Sequence, residues 1–394
     1  MNFEELKSIF TANGCREIFV KKLSPNDNSK NQVYLGGSLD LVNIFPVGDI
    51  KSVEDNTRKE KSFRADMNFC WVADDGRLYA APDSKLILYP QYPEVRWSGF
   101  LRGCKKPPSP LMAPRLPGRV LFLAVTGDRK VLGYVAAADS EITRAYDAQP
   151  GSPDGRGFFN IISLIVGGDN RQALFAELRR IHGLGWIGSK KLDRDRQVQP
   201  YAAQNGGGYT LEAELGIRPN GNSDPDFMGW EIKQYGVKQF AKQGNPVITL
   251  MTPEPTGGHY KDEGLGGFLQ KYGYPDKRGR ANRTNFGGTH RHGVVHKTTS
   301  LELRLIGFDL QKGKIVEPDG MVALINRNCE VAASWSFADL LGHWSKKHNL
   351  ACYIPSERLS SGGPKYRYGN NFFLGIGADF ELFLQLMAKG SIYL

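Results

Sequence analysis

With 394 residues, 40% hydrophobic content and 21 Phe, 16 Tyr and 6 Trp, the chain has the composition of a folded protein and more length than one hydrophobic core usually takes up. No run of about 18 apolar residues occurs, and Met1 to Phe10 carries acidic residues without the basic-then-apolar layout of a signal peptide, so neither a membrane partner nor secretion is expected and the cytoplasm is. A formal charge of +10 favours a polyanionic partner, nucleic acid first, although an ordinary basic protein carries the same excess.

In chain order, residues Glu17 to Ala138 show short β-type runs (Glu17 to Lys21, Asn68 to Ala73, Lys85 to Tyr89, Val120 to Thr126) broken by Gly, Pro, Asn and Asp. This pattern predicts an all-β barrel or sandwich over residues 1–150. The polar stretch Gln149 to Gly155 is the best linker candidate, and residues 151–168 are read as linker and entry to a second domain at 169–394. There, Asp169-Asn170 can cap a helix in which Ala173, Leu174, Leu178 and Ile181 recur at helical spacing. A second helix is predicted over Tyr209 to Leu215, then strands near Met228 to Gln234, Val247 to Met251, Leu301 to Phe308 and Met321 to Ile325. Helices over Phe337 to Lys347 and Asp379 to Ala388 complete an α/β domain. The five cysteines (Cys15, Cys70, Cys104, Cys329, Cys352) are odd in number and scattered without a C-x-x-C pair, which argues against a disulfide framework or thiolate zinc and fits a reducing compartment.

The sharpest chemical signal is Pro225-Asp226 followed by Glu231-Ile232-Lys233, the PD-(D/E)xK form. On a strand, the period of two puts Glu231 and Lys233 on one face and turns Trp230 and Ile232 to the other. Asp226 can bring a second carboxylate beside Glu231, and these oxygens with the backbone carbonyl of Ile232 suit Mg²⁺, which keeps waters of its own. Such a cation clamps a scissile phosphate and supplies an activated water, with Lys233 positioning or deprotonating it. A polar strand edge with an incidental salt bridge is the plain alternative. Glu212 can reach the same site, or serve only as an acidic residue in a helix's first turn.

The surroundings of this cluster resemble the MvaI/BcnI-type restriction endonucleases. The resemblance runs through Gly206 to Glu212, Leu215-Gly216-Ile217, Pro225-Asp226-Phe227 and Glu231-Ile232-Lys233. It continues at Leu250-Met251-Thr252, Leu269 to Gly273, Ser334 to Phe337 with Leu340, and Lys365 to Tyr368 with Asn370. It covers roughly residues 170 to 394 and implies a monomeric nuclease that cuts pseudosymmetric CC-N-GG-type sites in double-stranded DNA. Its Mg²⁺ would be held by Asp226 and Glu231 and assisted by Lys233. The interval of five between the two acids is similar to the MvaI side of the family, implying CC(A/T)GG. The resemblance also implies a functional pairing with a cognate DNA methyltransferase. Base-reading residues are expected beyond the last helix, where this sequence runs from Gly390 to Leu394; that leaves base reading by the second domain to be rebuilt elsewhere or curtailed.

Phe19 to Asp27, Gln32-Val33 and Ile44-Phe45-Pro46 resemble the effector domain of EcoRII, a pseudobarrel related to plant transcription-factor DNA-binding domains. This implies two loops gripping the major groove: one with Asn26, Asp27, Asn28, Lys30 and Gln32 beside Lys21 and Lys22, the other with Glu94, Arg96, Trp97 and Arg102. Arg can read guanine, Glu cytosine and Asn adenine, so the residue types suit a C/G-rich site. Ordinary solvated loops are the alternative.

The run Lys277 to Asn285, with Arg278, Arg280, Arg283 and Asn285, precedes His290-Arg291-His292 and reads as phosphate-tracking, or as a solvated charged loop. His290, His292 and His296 lack a nearby Cys or acid at zinc-ligand spacing. Gly264 to Gly267 is followed by no G-K-[ST], so no nucleotide cofactor is expected. The rival readings are a DNA-binding regulator on a degenerate nuclease fold and a structure-specific repair nuclease.

Overall fold

The structure is a computed structural model that describes residues 1–25, 31–55, 60–92, 94–114, 116–148, 155–156, 159–164, 170–218, 226–242 and 246–394. It divides into two units: Met1–Val166, Glu254–Gly342 and Asp379–Leu394 form one; Gly167–Pro253 and His343–Ala378 form the other. Among the described residues no helix is long and apolar enough to cross a membrane.

In the first unit, strands rich in Val, Leu, Ile and Phe build a seven-stranded sheet. Its order is Gly155–Arg156, Phe159–Ser163, Glu17–Lys22, Val120–Val125, Val131–Ala136, Phe69–Val72, Leu78–Ala80. All neighbours are antiparallel except Val131–Ala136 beside Phe69–Val72. Phe159–Ser163, within the stretch expected as linker and entry, pairs with Glu17–Lys22; the core of the predicted linker, 149–154, lies outside the described residues. Helix Phe3–Ala12, fixed at its start by a capping box between Asn2 and Glu5, lays Phe3, Leu6 and Phe10 against Ile18, Val20, Phe122 and Leu132. Helix Glu141–Asp147 adds Ile142 to this core. The N-terminal region is therefore β-rich but not all-β, because the apolar stripe of the first twelve residues has a period of 3.6, not two.

A five-stranded antiparallel sheet follows the order Gln32–Gly36, Glu94–Ser98, Lys85–Tyr89, Glu60–Asp66, Lys51–Asp55. Alternation along Glu94–Ser98 turns Val95 and Trp97 inward, and Trp97 meets Phe69 of the seven-stranded sheet at 4.7 Å between ring centroids. The same unit holds the three-stranded sheet Glu302–Ile306, Met321–Ile325, Val331–Ser336 and the helices His259–Tyr272 and Phe380–Ala388. Helix His259–Tyr272 is broken at Gly264, whose φ of 69° only glycine adopts readily.

The second unit is a sheet ordered Ile187–Gly188, Lys365–Tyr368, Leu350–Leu359, Glu231–Gly236, with Phe373–Ile376 also pairing with Leu350–Leu359. Helices Asn170–Gly183 and Gly206–Glu214 supply Leu174, Leu178, Ile181 and Leu211 to a core shared with Trp230, Ile232, Cys352 and Ile354. Glu231–Gly236 runs parallel to Leu350–Leu359, with Lys233 opposite Tyr353. The predicted strand over Met228 to Gln234 begins only at Glu231. A tight turn precedes it, in which Phe227 and Trp230 exchange backbone hydrogen bonds and Met228 and Gly229 take φ of 49° and 87°. The predicted strand over Val247 to Met251 is irregular; Val247 is 73% exposed and the segment pairs with no strand among the described residues.

Candidate active site

Three segments of the second unit bring the acidic cluster together. The turn before Glu231–Gly236 carries Asp226, whose Oδ2 accepts the Ile232 N–H at 2.9 Å. That bond shows Ile232's peptide groups facing away from the neighbouring strand, so its carbonyl emerges on the Asp226 side, while the Ile232 side chain is buried in the core. Glu231 is 3% exposed; its Oε1 accepts from Lys233 Nζ at 2.8 Å and from Lys347 Nζ at 3.3 Å. Its other oxygen, Oε2, is buried and has no hydrogen-bond partner among the described residues. Helix Gly206–Glu214 contributes Glu212, whose carboxyl is pushed up to about 7, first by burial and then by the charges of Asp226 and Glu231. Asp226 is likewise held above the usual carboxylate range by burial, with Glu231 adding to it against the lowering effect of the Ile232 N–H.

These features fit a divalent cation. An unpartnered buried carboxylate oxygen costs free energy until something positive meets it, and three mutually repelling acids are relieved by the same charge. Among the described residues no three His, Cys, Asp or Glu side chains form a group that could hold a metal ion by themselves.

Asp226, Glu231, Lys233 and Glu212 are thus the sequence-predicted residues that the fold gathers. Lys347 and His348, at the end of helix Phe337–His348, were not among them. The local signal is a run of basic residues in a helix's last turn, which the helix dipole alone explains; only the fold brings that turn to Glu231. His348 is buried and held uncharged, its pKa lowered to about 4 by burial first and the Lys233 charge second. Neutral, it donates from Nε2 to the Leu250 carbonyl at 3.0 Å and accepts at Nδ1 from the Tyr353 hydroxyl at 3.1 Å.

The predicted DNA-contacting residues fall in the first unit. Lys21, Gln32, Glu94 and Arg96 line one cavity of about 350 Å³ together with Tyr34 and Arg119. Strand pairing explains it: Gln32–Gly36 lies antiparallel to Glu94–Ser98, with Tyr34 opposite Arg96. Arg96 bonds Glu94 and reaches Gln32 Oε1 at 3.3 Å. Lys22 pairs with Asp147 at 2.7 Å and the exposed Arg102 with Asp83 at 3.1 Å. Asn26, Asp27, Asn28 and Lys30 lie outside the described residues. Trp97 is corrected to a core residue: it is fully buried, and its indole N–H donates to Ser84 Oγ at 2.7 Å.

In the basic loop, Arg278, Arg280 and Arg283 are exposed, whereas Asn285 folds the loop by donating to Asp276 Oδ1 at 2.7 Å. His290 is also corrected. It is 2% exposed, bonds Thr299 Oγ1 at 2.8 Å, stacks on Phe286, and burial lowers its pKa to about 4, so it offers no charge to a phosphate. Arg291 lies 4.3 Å over the Tyr393 ring and bonds the Gly390 carbonyl, and His292 is half-buried.

A strand carrying E-x-K thus stands beside an acidic turn, and residues 175–394, which contain both, match the MvaI/BcnI restriction endonuclease family. The chain belongs to the MvaI/BcnI restriction endonuclease family. It is a type II restriction endonuclease with double-stranded DNA as substrate, in a family that generally uses a divalent metal. Among solved structures it is similar to the complex of restriction endonuclease MvaI with its cognate DNA, at 17% identity and a TM-score of 0.43, over 58% of this chain and 84% of that one. It is also similar to MvaI in the absence of DNA, at 17% identity and a TM-score of 0.28, over 57% and 82%. No curated protein matches it.

Proposed function

We propose that the chain is a Mg²⁺-dependent endonuclease of PD-(D/E)xK type that cuts CC(A/T)GG in double-stranded DNA. The observation that carries this reading is Glu231, buried with one oxygen gripped by lysine and the other unpartnered. Mg²⁺ would be held by Asp226, Glu231 and the Ile232 carbonyl, and when bound it supplies a charge clamp on the phosphate and an acidified water. Lys233, tethered through Glu231 Oε1, orients the attacking water on the side of the strand where both acids stand. Glu212 adds a further acceptor for that water. Residues 1–150 act as an EcoRII-like pseudobarrel that holds a second copy of the site, with Lys21, Gln32, Glu94 and Arg96 around the cavity meeting base edges and phosphates. Tethering the nuclease at 169–394 to such a module raises its effective concentration on DNA. The protein acts as a cytoplasmic monomer beside a methyltransferase that protects the host's own sites.

Unmethylated plasmid incubated with the protein in Mg²⁺ or EDTA, alongside Glu231→Ala, tests this. Discrete Mg²⁺-dependent ends at CC(A/T)GG, lost in the variant, are expected. Binding without cutting would favour the DNA-binding regulator, and ends mapped to branched or damaged DNA would favour a repair nuclease.

A further inference from the structure

Glu231 Oε1 is gripped by two ammonium groups, and the second of them, that of Lys347, has no part in the reading above. Lys347 Nζ stands 3.3 Å from the oxygen to which Lys233 Nζ donates at 2.8 Å. Its side chain is 26% exposed, so it reaches the acidic cluster from a position that solvent still touches. A lysine has three N–H donors, and the Glu231 contact uses one.

The turn that presents Lys347 is fixed in place. The next residue, His348, is tied to the Leu250 carbonyl and to the Tyr353 hydroxyl, and its ring stacks on Trp344 at 4.1 Å. Tyr353 is the register partner of Lys233. The backbone under Lys347 is therefore braced against the strand that carries the other lysine, which is how a side chain is pre-organised for a charge that develops during reaction.

The charges give this second cation a purpose. Glu212 feels Asp226, Glu231, Lys233 and Lys347, so all five groups form one electrostatic cluster. With the three acids ionised the cluster is one charge negative, and a bound divalent cation makes it one charge positive, matching the single negative charge of a phosphodiester. Remove Lys347 and the loaded site carries one positive charge fewer to set against the phosphate.

We propose that Lys347 is a second catalytic cation whose ammonium contacts a non-bridging oxygen of the scissile phosphate; this rests on the nuclease reading of the same site. The test compares Lys347→Met, which keeps the stem, and Lys347→Arg, which keeps the charge, with the unaltered protein. Two readouts are needed: single-turnover cutting of a CC(A/T)GG duplex in Mg²⁺, and the salt dependence of binding the same duplex in Ca²⁺. Lys347→Met should cut about 100-fold more slowly, and the slope of log affinity against log salt should fall by about one. Lys347→Arg should recover the slope. Cutting within about threefold of the unaltered protein would overturn the proposal, as would a slowed rate with an unchanged slope, since a merely structural lysine leaves the count of neutralised phosphates alone. Should the unaltered protein bind but not cut, the nuclease reading fails, and the slope still decides: a fall of about one keeps Lys347 on a phosphate, and no fall removes it.

Discussion

Replacing Glu212 by Gln should make the folded protein less sensitive to rising pH, because the fold resists ionising Glu212. Its carboxyl moves from an ordinary 4.5 to about 7, through burial first and the neighbouring Asp226 and Glu231 second. A carboxyl raised in the folded state binds its proton more tightly there than in the unfolded chain. Stability is therefore fully present below the unfolded value and declines as pH rises from about 4.5 through about 7. A rise of this size corresponds to about 3 kcal/mol as an upper bound, lost between pH 4.5 and 8. Urea unfolding of the two proteins at pH 5 and pH 8, without divalent cations, measures it: the unaltered protein should lose up to about 3 kcal/mol relative to Glu212→Gln. Adding Mg²⁺ at pH 8 should return most of that loss to the unaltered protein and less to the variant. An identical pH dependence in both proteins would refute the crowding of acids on which the argument rests.

Two further expectations concern the first unit. A methyl group at Gly133 would lie 2.5 Å from the tip of the Phe69 ring, itself held edge-on by Trp71 and Trp97 at 4.9 and 4.7 Å. Gly133→Ala should cost about 1–3 kcal/mol in urea unfolding, and an unchanged midpoint would mean that the sheets meet more loosely there. Arg96→Ala should weaken binding to a CC(A/T)GG duplex by about 1–3 kcal/mol and relax discrimination at one base pair. Equal weakening on every sequence would assign Arg96 to a phosphate, and no weakening would remove it from the DNA surface.

The clustering of Asp226, Glu231 and Lys233 was legible because its information is local. Strand alternation alone separates Glu231 and Lys233 from Trp230 and Ile232, and Ile232 is indeed in the core while both charged residues face the acidic cluster. Trp97 was lost by reading residues 94–102 as a loop. The alternation Glu94, Val95, Arg96, Trp97, Ser98 was already in the sequence, and taken as a strand it turns Trp97 inward and leaves Glu94 and Arg96 together. His290 was misjudged for another reason: a histidine beside an arginine looks like a cation, and only burial against Phe286 and Thr299 removes its charge. Lys347 was not legible at all, since nothing in residues 337–348 says where the end of that helix lands. Val247 to Met251 has strand composition, yet among the described residues no strand edge takes it up, and Leu250 contributes the carbonyl that holds His348.

The parallel pairing of Glu231–Gly236 with Leu350–Leu359 also sets a timetable for synthesis. Residues 237–349 lie between the two strands, and much of that interval, Glu254–Gly342, belongs to the other unit. A ribosome that has just released Asp226, Glu231 and Lys233 has made the acids but not the strand that aligns them, nor the helix end that bears Lys347. Parallel strands so far apart in sequence join late, because the intervening loop must close before the contact repays it. A nascent chain that stops short of Leu350 therefore lacks the strand on which Glu231 and Lys233 are aligned.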